Sequence, residues 1–264
     1  NLEDSYKLKS KIKIIDRIKH FFNFCGKNDI VKIPIGGMFY PKSFIFKEEI
    51  DHILNRIEQN FIEKNQVDRF GRVNKYKLLQ KKALLLIAFC SGLRKDELRT
   101  RLFKDVNLFV NKLVIDVNTI GPNILKTTLK TKNARRRVET FIDDSKHLKI
   151  IDDFLKLRKE IEKKRTIKFL FLSTNKTTIL IKPIHETYIN DISISIKEVV
   201  DRYVSFHSLR HSFATYQFKK MLEEIDEYPY AMLQLAMMMG HSHYNTTLDS
   251  YIHYDFIRLL QNKK

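Results

Sequence analysis

The chain has 264 residues, with 49 Lys+Arg against 31 Asp+Glu and a formal charge of +18. Hydrophobic residues at 43% and aromatics at 11% suffice for a packed core, which excludes a disordered basic tail as the whole molecule. Only 7 Gly and 5 Pro interrupt the chain, which favours long helices over a turn-rich all-β fold.

The longest apolar run, 83–90, is far below the roughly 18–20 residues of a bilayer span, so no membrane association is expected. Two cysteines, Cys25 and Cys90, make no disulfide framework, and with no signal peptide at the N-terminus a cytoplasmic location is expected. The first residue is Asn1 rather than Met, which leads to the expectation of a piece of a longer protein.

In chain order, Leu8, Ile12, Ile15, Ile18 and Phe22 recur at steps of three and four among lysines and predict a basic helix over 6–27. Residues 33–41 hold two prolines and the Gly36-Gly37 pair, a linker signal. Residues 1–42 are therefore read as an N-terminal helix and linker, and 43–264 as the principal domain. Ile50, Ile53, Leu54 and Ile57 predict a helix to about Phe61, and the apolar spacing over 76–90 predicts another, ended by Ser91-Gly92. The period then changes to that of strands over 112–117 and 135–141. Helical spacing returns over 148–164, 188–200, 208–222, 230–239 and 246–260. The expected class is α+β, mainly α-helical, with a small antiparallel sheet.

Residues 117–138 contain Lys126, Lys130, Lys132, Arg135, Arg136 and Arg137 and no acidic residue. A hairpin so charged is suited to phosphates. Further on, His207, Arg210, His211, His241 and Tyr251 crowd into a short span. His207 and His211, four apart, would share a helix face and could hold a metal with His241 or His243. Arg210 between them would repel a cation and no carboxylate accompanies the set, so no metal is expected. Phosphoryl transfer suits these residue types better. Arginines clamp phosphate oxygens bidentately at any relevant pH, a histidine moves protons, and a tyrosine hydroxyl can attack phosphorus.

The boxes His207-x-Leu-Arg210-His211-Ser-Phe-Ala-Thr, Gly240-His241-Ser and Thr246-Thr-Leu-Asp-Ser-Tyr251-Ile-His253 resemble the C-terminal motifs of tyrosine recombinases, the phage and transposon integrases and Xer-type resolvases. Upstream, Ser91-Gly-Leu-Arg94-Lys-Asp-Glu97-Leu resembles the first arginine box of that family, and Lys130-Thr-Lys132-Asn-Ala-Arg135-Arg136 its hairpin lysine box. The resemblance runs from about Phe46 to His253. It implies a tyrosine recombinase catalytic domain over 43–264 and, over 1–42, the remnant of a core-binding domain.

The same resemblance implies a site-specific recombinase in which Tyr251 attacks the scissile phosphate, leaving a 3′-phosphotyrosyl link and a free 5′-hydroxyl, with no cofactor. Arg94 and Arg210 would hold the non-bridging oxygens, Lys130 would protonate the leaving oxygen, His207 would assist proton transfer and His241 would hydrogen-bond the phosphate. Glu97 would orient its neighbours, or serve as a helix cap or ion-pair partner. Lys126, Lys132, Arg135, Arg136 and Arg137 would contact the DNA backbone. Tyr244 and Tyr254 are the chemical rivals of Tyr251, and a core role for Tyr251 is the plainer alternative. His211 reads as structural, and His243 and His253 as peripheral.

Where the family often has a proline after the hairpin strand, Glu139 follows Val138, which leaves the choice among Lys126, Lys130 and Lys132 to the spacing around Lys130. The expected partner is double-stranded DNA with a specific recombination site, bound by a tetramer on two sites, with 256–264 as a short docking tail. A type IB topoisomerase and a DNA-binding accessory protein without catalysis are the alternatives. The target sequence, the host element and the direction of the reaction are not encoded in these motifs.

Overall fold

The computed structural model describes residues 44–64, 71–117, 135–164, 168–175, 178–201, 204–224 and 228–241. Helix α1, Lys47–Lys64, begins where the Glu49 carboxylate accepts the Phe46 N–H at 2.8 Å, and Glu48 and Glu49 suit the positive end of the helix dipole. Its Ile50, Ile53, Leu54 and Ile57 are buried as the spacing predicts. Helix α2, Gly71–Ser91, is buried on every side from Ala83 to Ala88, which makes it the central helix of the fold. Each fully buried leucine or isoleucine there contributes roughly 1.5–3 kcal/mol relative to exposure.

After the short helix α3, Lys95–Arg99, a 3-10 turn leads into a three-stranded antiparallel sheet of β1, Val106–Phe109, β2, Lys112–Asp116, and β3, Arg137–Phe141, in the order β1-β2-β3. Val106 faces Ile115, and Ile115 faces Val138. The β1–β2 turn passes through Val110 at φ 56°. Leu113, Ile115 and Val138 point into the core.

Helix α4, Ser145–Lys164, starts three residues before the expected 148–164 because Asp144 caps it. The Asp144 carboxylate accepts the Lys146 and His147 N–H groups at 2.7 and 3.1 Å. These bonds, that from His147 first, hold its carboxyl below the usual range. A hairpin of β4, Leu172–Thr174, and β5, Ile179–Pro183, follows. Buried Gln80 from α2 seats it, accepting the Leu172 N–H at 2.7 Å and donating to the Leu172 carbonyl at 2.9 Å. Helices α5, Glu186–Val199, α6, Ser208–Glu224, and α7, Tyr228–Met239, complete the described chain.

The N-terminal edge of the domain is tied to α6, since Ile45 N–H donates to Ser212 Oγ at 2.8 Å and Lys47 N–H to Tyr216 Oη at 3.0 Å. The helices predicted within the described residues are present with shifts of a few residues at their ends. Helix α3, strand β1 and the β4–β5 hairpin were not predicted. The expected helix at 6–27, the linker, the connection 118–134 and the helix at 246–260 lie outside the described residues. No described helix is long and apolar enough to cross a membrane.

Candidate active site

The first arginine box is built on a helix end. Helix α2 stops after Ser91, and Gly92 turns the chain at φ +59°, its N–H donating to the Ala88 carbonyl at 3.0 Å. A Cβ on Gly92 would come within 2.3 Å of the Phe213 ring, so glycine is required by both angle and space. The chain then enters α3 through Arg94 in extended conformation. Glu97, three residues on, reaches back to accept the Arg94 N–H at 2.9 Å, half of a capping box. The same carboxylate accepts from Arg94 Nη1 at 3.0 Å.

The Gly240-His241 box is also a helix end. Helix α7 closes in a Schellman motif, with Gly240 at φ +67°, Gly240 N–H donating to the Met237 carbonyl at 3.0 Å and His241 N–H to Ala236 at 3.0 Å. This termination delivers His241 to the site. Arg94 Nη2 touches the Gly240 carbonyl at 3.4 Å, so the two helix ends meet.

Arg210, in the first turn of α6, joins them. Its side chain is 1% exposed. Nη1 donates to the Gly92 carbonyl, and Nη2 to the Met239 carbonyl at 2.6 Å. Nη2 also lies 3.0 Å from His241 Nε2. A guanidinium only donates, so Nε2 is the acceptor and the neutral His241 ring carries its proton on Nδ1. Burial, then the charges of Arg210, Arg94 and Arg136, pull the His241 pKa down to about 4, in keeping with that neutral state.

His207 sits just before α6, packed edge-on against the His211 ring at 5.1 Å. Although His207 is exposed on one side of the site, the desolvating protein around it and then the charges of Arg210 and Arg94 lower its pKa, which keeps it neutral and able to accept a proton at neutral pH.

The structure thus brings together Arg94, Glu97, His207, Arg210 and His241. Lys126, Lys130, Lys132, Tyr244, Tyr251, His243, His253 and Tyr254 lie outside the described residues. Arg135, just before β3, and Arg137, its first residue, are exposed, Arg137 pairing with Glu139 at 2.7 Å.

Arg136 departs from the expectation of a surface phosphate contact. It is 8% exposed, and its Nη1 and Nη2 donate to the two Glu97 oxygens at 3.0 and 2.8 Å. Its Nε donates to the Met238 carbonyl at 2.6 Å. The physical reason is strand parity: Arg136, Val138 and Thr140 are buried, while Arg135, Arg137 and Phe141 face out. Parity with Val138 is the signal in the sequence that places Arg136 inside. Burial alone would push the Glu97 carboxyl up, but the hydrogen bonds and charge of Arg136, with the backbone N–H and charge of Arg94, outweigh it and hold the pKa at about 2.

Arg101 is the other buried arginine nearby that sequence reasoning missed. It donates to the Asp116 carbonyl at 2.7 Å and pairs with Asp105 at 3.4 Å, tying α3 to the end of β2.

Chemically, two guanidiniums and two neutral imidazoles converge around the helix ends, an arrangement that can bind an anion and move protons beside it. In sequence, the family described as the phage integrase family matches residues 60–258. No curated protein matches the chain. Among solved structures, the XerH site-specific recombinase bound to palindromic difH substrate in a post-cleavage complex is 18% identical, with 90% of this chain and 57% of that chain covered and a TM-score of 0.52. The pre-cleavage XerH complex with difH is likewise 18% identical, covering 90% and 58% at 0.50. The XerA recombinase is 16% identical, covering 94% and 73% at 0.53. The chain therefore spans less than two thirds of the XerH chains. At these identities the likeness is one of fold.

Proposed function

The chain belongs to the phage integrase family, with the fold of a tyrosine recombinase catalytic domain, and on that premise we propose that it is a site-specific DNA recombinase that cleaves and rejoins strands through a tyrosyl intermediate. The observation that carries this reading is the convergence of Arg94, Arg210 and His241 at two apposed helix ends, with His207 beside them. A phosphodiester placed there replaces the contact between Arg210 and His241, so that both arginines donate to its non-bridging oxygens and His241 donates its ring N–H to the phosphate. Negative charge growing on those oxygens in the transition state meets donors already fixed in place, the condition under which electrostatic stabilisation is largest.

In the proposed reaction, the Tyr251 hydroxyl oxygen attacks phosphorus as its proton passes to a base, for which neutral His207 is suited. The P–O5′ bond breaks and the 5′-oxygen takes a proton from Lys130. A 3′-phosphotyrosyl link and a 5′-hydroxyl result. The phosphotyrosine retains the energy of the diester, so a 5′-hydroxyl from a second duplex reverses the steps and seals a recombinant strand, with no cofactor. Arg135, Arg137, Lys126 and Lys132 would grip the backbone beside the site. Exchanging both strands of two duplexes takes four cleavages and four tyrosines, which supports a tetramer on two double-stranded sites, with 256–264 as the docking tail. The work takes place where such DNA lies, in the cytoplasm.

The test is a duplex carrying a recombination site identified by selecting DNA that the protein binds and cleaves, nicked close to the exchange point so that the freed 5′ end diffuses away. The protein is expected to accumulate as a covalent adduct with this DNA, and Tyr251→Phe to bind the DNA without forming the adduct. An adduct formed equally well by Tyr251→Phe contradicts the nucleophile assignment. Relaxation of any supercoiled plasmid lacking that site would favour a topoisomerase instead.

A further inference from the structure

We propose that Arg136 is a positioning residue of the recombination site, a clamp that holds Glu97 against Arg94 and against the Gly240-His241 turn. The proposal rests on the recombinase reading of the site. Each of the three guanidinium nitrogens is engaged: Nη1 and Nη2 on the two Glu97 oxygens at 3.0 and 2.8 Å, and Nε on the Met238 carbonyl at 2.6 Å. Glu97 in turn holds Arg94 by backbone and side chain at 2.9 and 3.0 Å. The Gly240 turn is wedged between the two arginines, its carbonyl 3.4 Å from Arg94 Nη2. A Cβ on Gly240 would come within 2.9 Å of Arg136 Nη1 and 3.2 Å of its Cδ and Cζ, so the turn is shaped to the guanidinium.

The clamp joins three stretches: the entry to β3, the α3 cap and the end of α7. Arg136 also follows the assigned general acid, Lys130, by six residues, so the strand that carries the lysine segment back into the core is fastened to the phosphate-binding arginine through one carboxylate. A lysine cannot reproduce this, since an ammonium has no planar fork to span both Glu97 oxygens and the Met238 carbonyl. The charged and titratable groups facing Glu97 are Arg94 and Arg101 from its own segment, Arg136 from the strand and His241 from the turn, with Asp105 behind Arg101. Without Arg136, burial of Glu97 is opposed chiefly by Arg94, and its proton affinity rises. Protonated Glu97 accepts less well from Arg94, so the site loosens as pH falls.

The experiment measures adduct formation on the nicked duplex, per bound complex and as a function of pH between about 5 and 8, for wild type, Arg136→Met, Arg136→Lys and the double variant Arg136→Met/Glu97→Gln. Arg136→Met is expected to bind DNA like wild type at fixed salt and to form adduct about tenfold or more slowly. Its rate should fall further toward acid pH, a limb that is absent in the double variant. Arg136→Lys, which keeps a cation beside Glu97, is expected to remove most of the acid limb and recover part of the rate. A wild-type rate and profile for Arg136→Met overturns the proposal. So does a loss of DNA affinity with an unchanged rate per bound complex, which would make Arg136 a DNA contact, or a uniform loss without the acid limb, which would make it merely structural.

If wild type forms no adduct, the recombinase reading fails, and the clamp is judged by thermal stability against pH without DNA. Acid destabilisation should then begin at higher pH in Arg136→Met than in wild type, and an unchanged onset overturns the clamp. Should Arg136→Met not fold, Arg136→Lys carries both measurements, with slower adduct formation at unchanged DNA affinity expected and a wild-type rate contradicting it.

Discussion

Arg210 donates to the Gly92 and Met239 carbonyls and to His241 Nε2, so one side chain supports both helix ends of the site, and in the proposed reaction it would also hold a phosphate oxygen. Arg210→Lys preserves charge but cannot span both carbonyls. Adduct formation at saturating DNA is expected to fall about 10²–10³-fold, the loss typical of a missing transition-state donor. Leaving a buried carbonyl unpaired should also lower the urea midpoint, by about 1–3 kcal/mol of stability. His241 makes a prediction in pH. Its folded pKa of about 4 lies below the ordinary 6.5, so the unfolded chain takes up a proton first as pH falls. The contribution is present above 6.5 and is lost progressively on going down toward 4. Thermal melts of His241→Asn should therefore show a shallower decline across that window than wild type, and parallel curves would contradict the assignment. At this scale Arg94, His207, Arg210 and His241 were legible because their motifs are ordered and closely spaced. Arg136 was misread because three adjacent arginines look alike in composition, and only the alternation of β3 separates the middle one from its exposed neighbours.

The elements that carry the site are long helices whose ends, rather than faces, do the positioning. Helix ends were readable where glycine marked them, at Gly92 and Gly240, both in the left-handed region. Gly92→Ala is expected to destabilise the domain by roughly 2–5 kcal/mol, combining left-handed strain with overpacking against Phe213, which is buried and cannot retreat. Equilibrium urea unfolding measures it, and a change below about 0.5 kcal/mol would contradict the geometry at this turn. The long helices were legible because apolar residues recur at helical spacing, over about two turns from Ile50 to Ile57 and about four through 76–90. Strands β1 and β4 were not, since three or four residues offer too few alternations to stand out, and β5 was not because none of its five residues is fully buried, so its pattern shows no core face. The five residues of α3 are too few for any helical period, and only the capping relation of Glu97 to Arg94 betrays that helix.

For the whole chain, the charge of +18 divides into two kinds of work. Arg136, Arg101 and Arg210 are buried in networks that build the site, whereas Arg135 and Arg137 face outward. Outward charge predicts a binding constant that drops steeply as salt rises from about 50 to 200 mM, because phosphate contacts release counterions, and salt-independent binding would contradict a DNA interface. Specificity is a separate matter from this charge, since phosphate contacts position a protein and base contacts select the sequence. The family match over 60–258 and the convergence of arginines and histidines meet in one claim, that a tyrosine is linked to DNA during the reaction. The most direct measurement is peptide mass spectrometry of the adduct trapped on the nicked duplex. The nucleotide is expected on the peptide containing Tyr251, joined through a 3′-phosphate. A 5′-phosphate linkage, or attachment at Tyr244 or Tyr254, would contradict it.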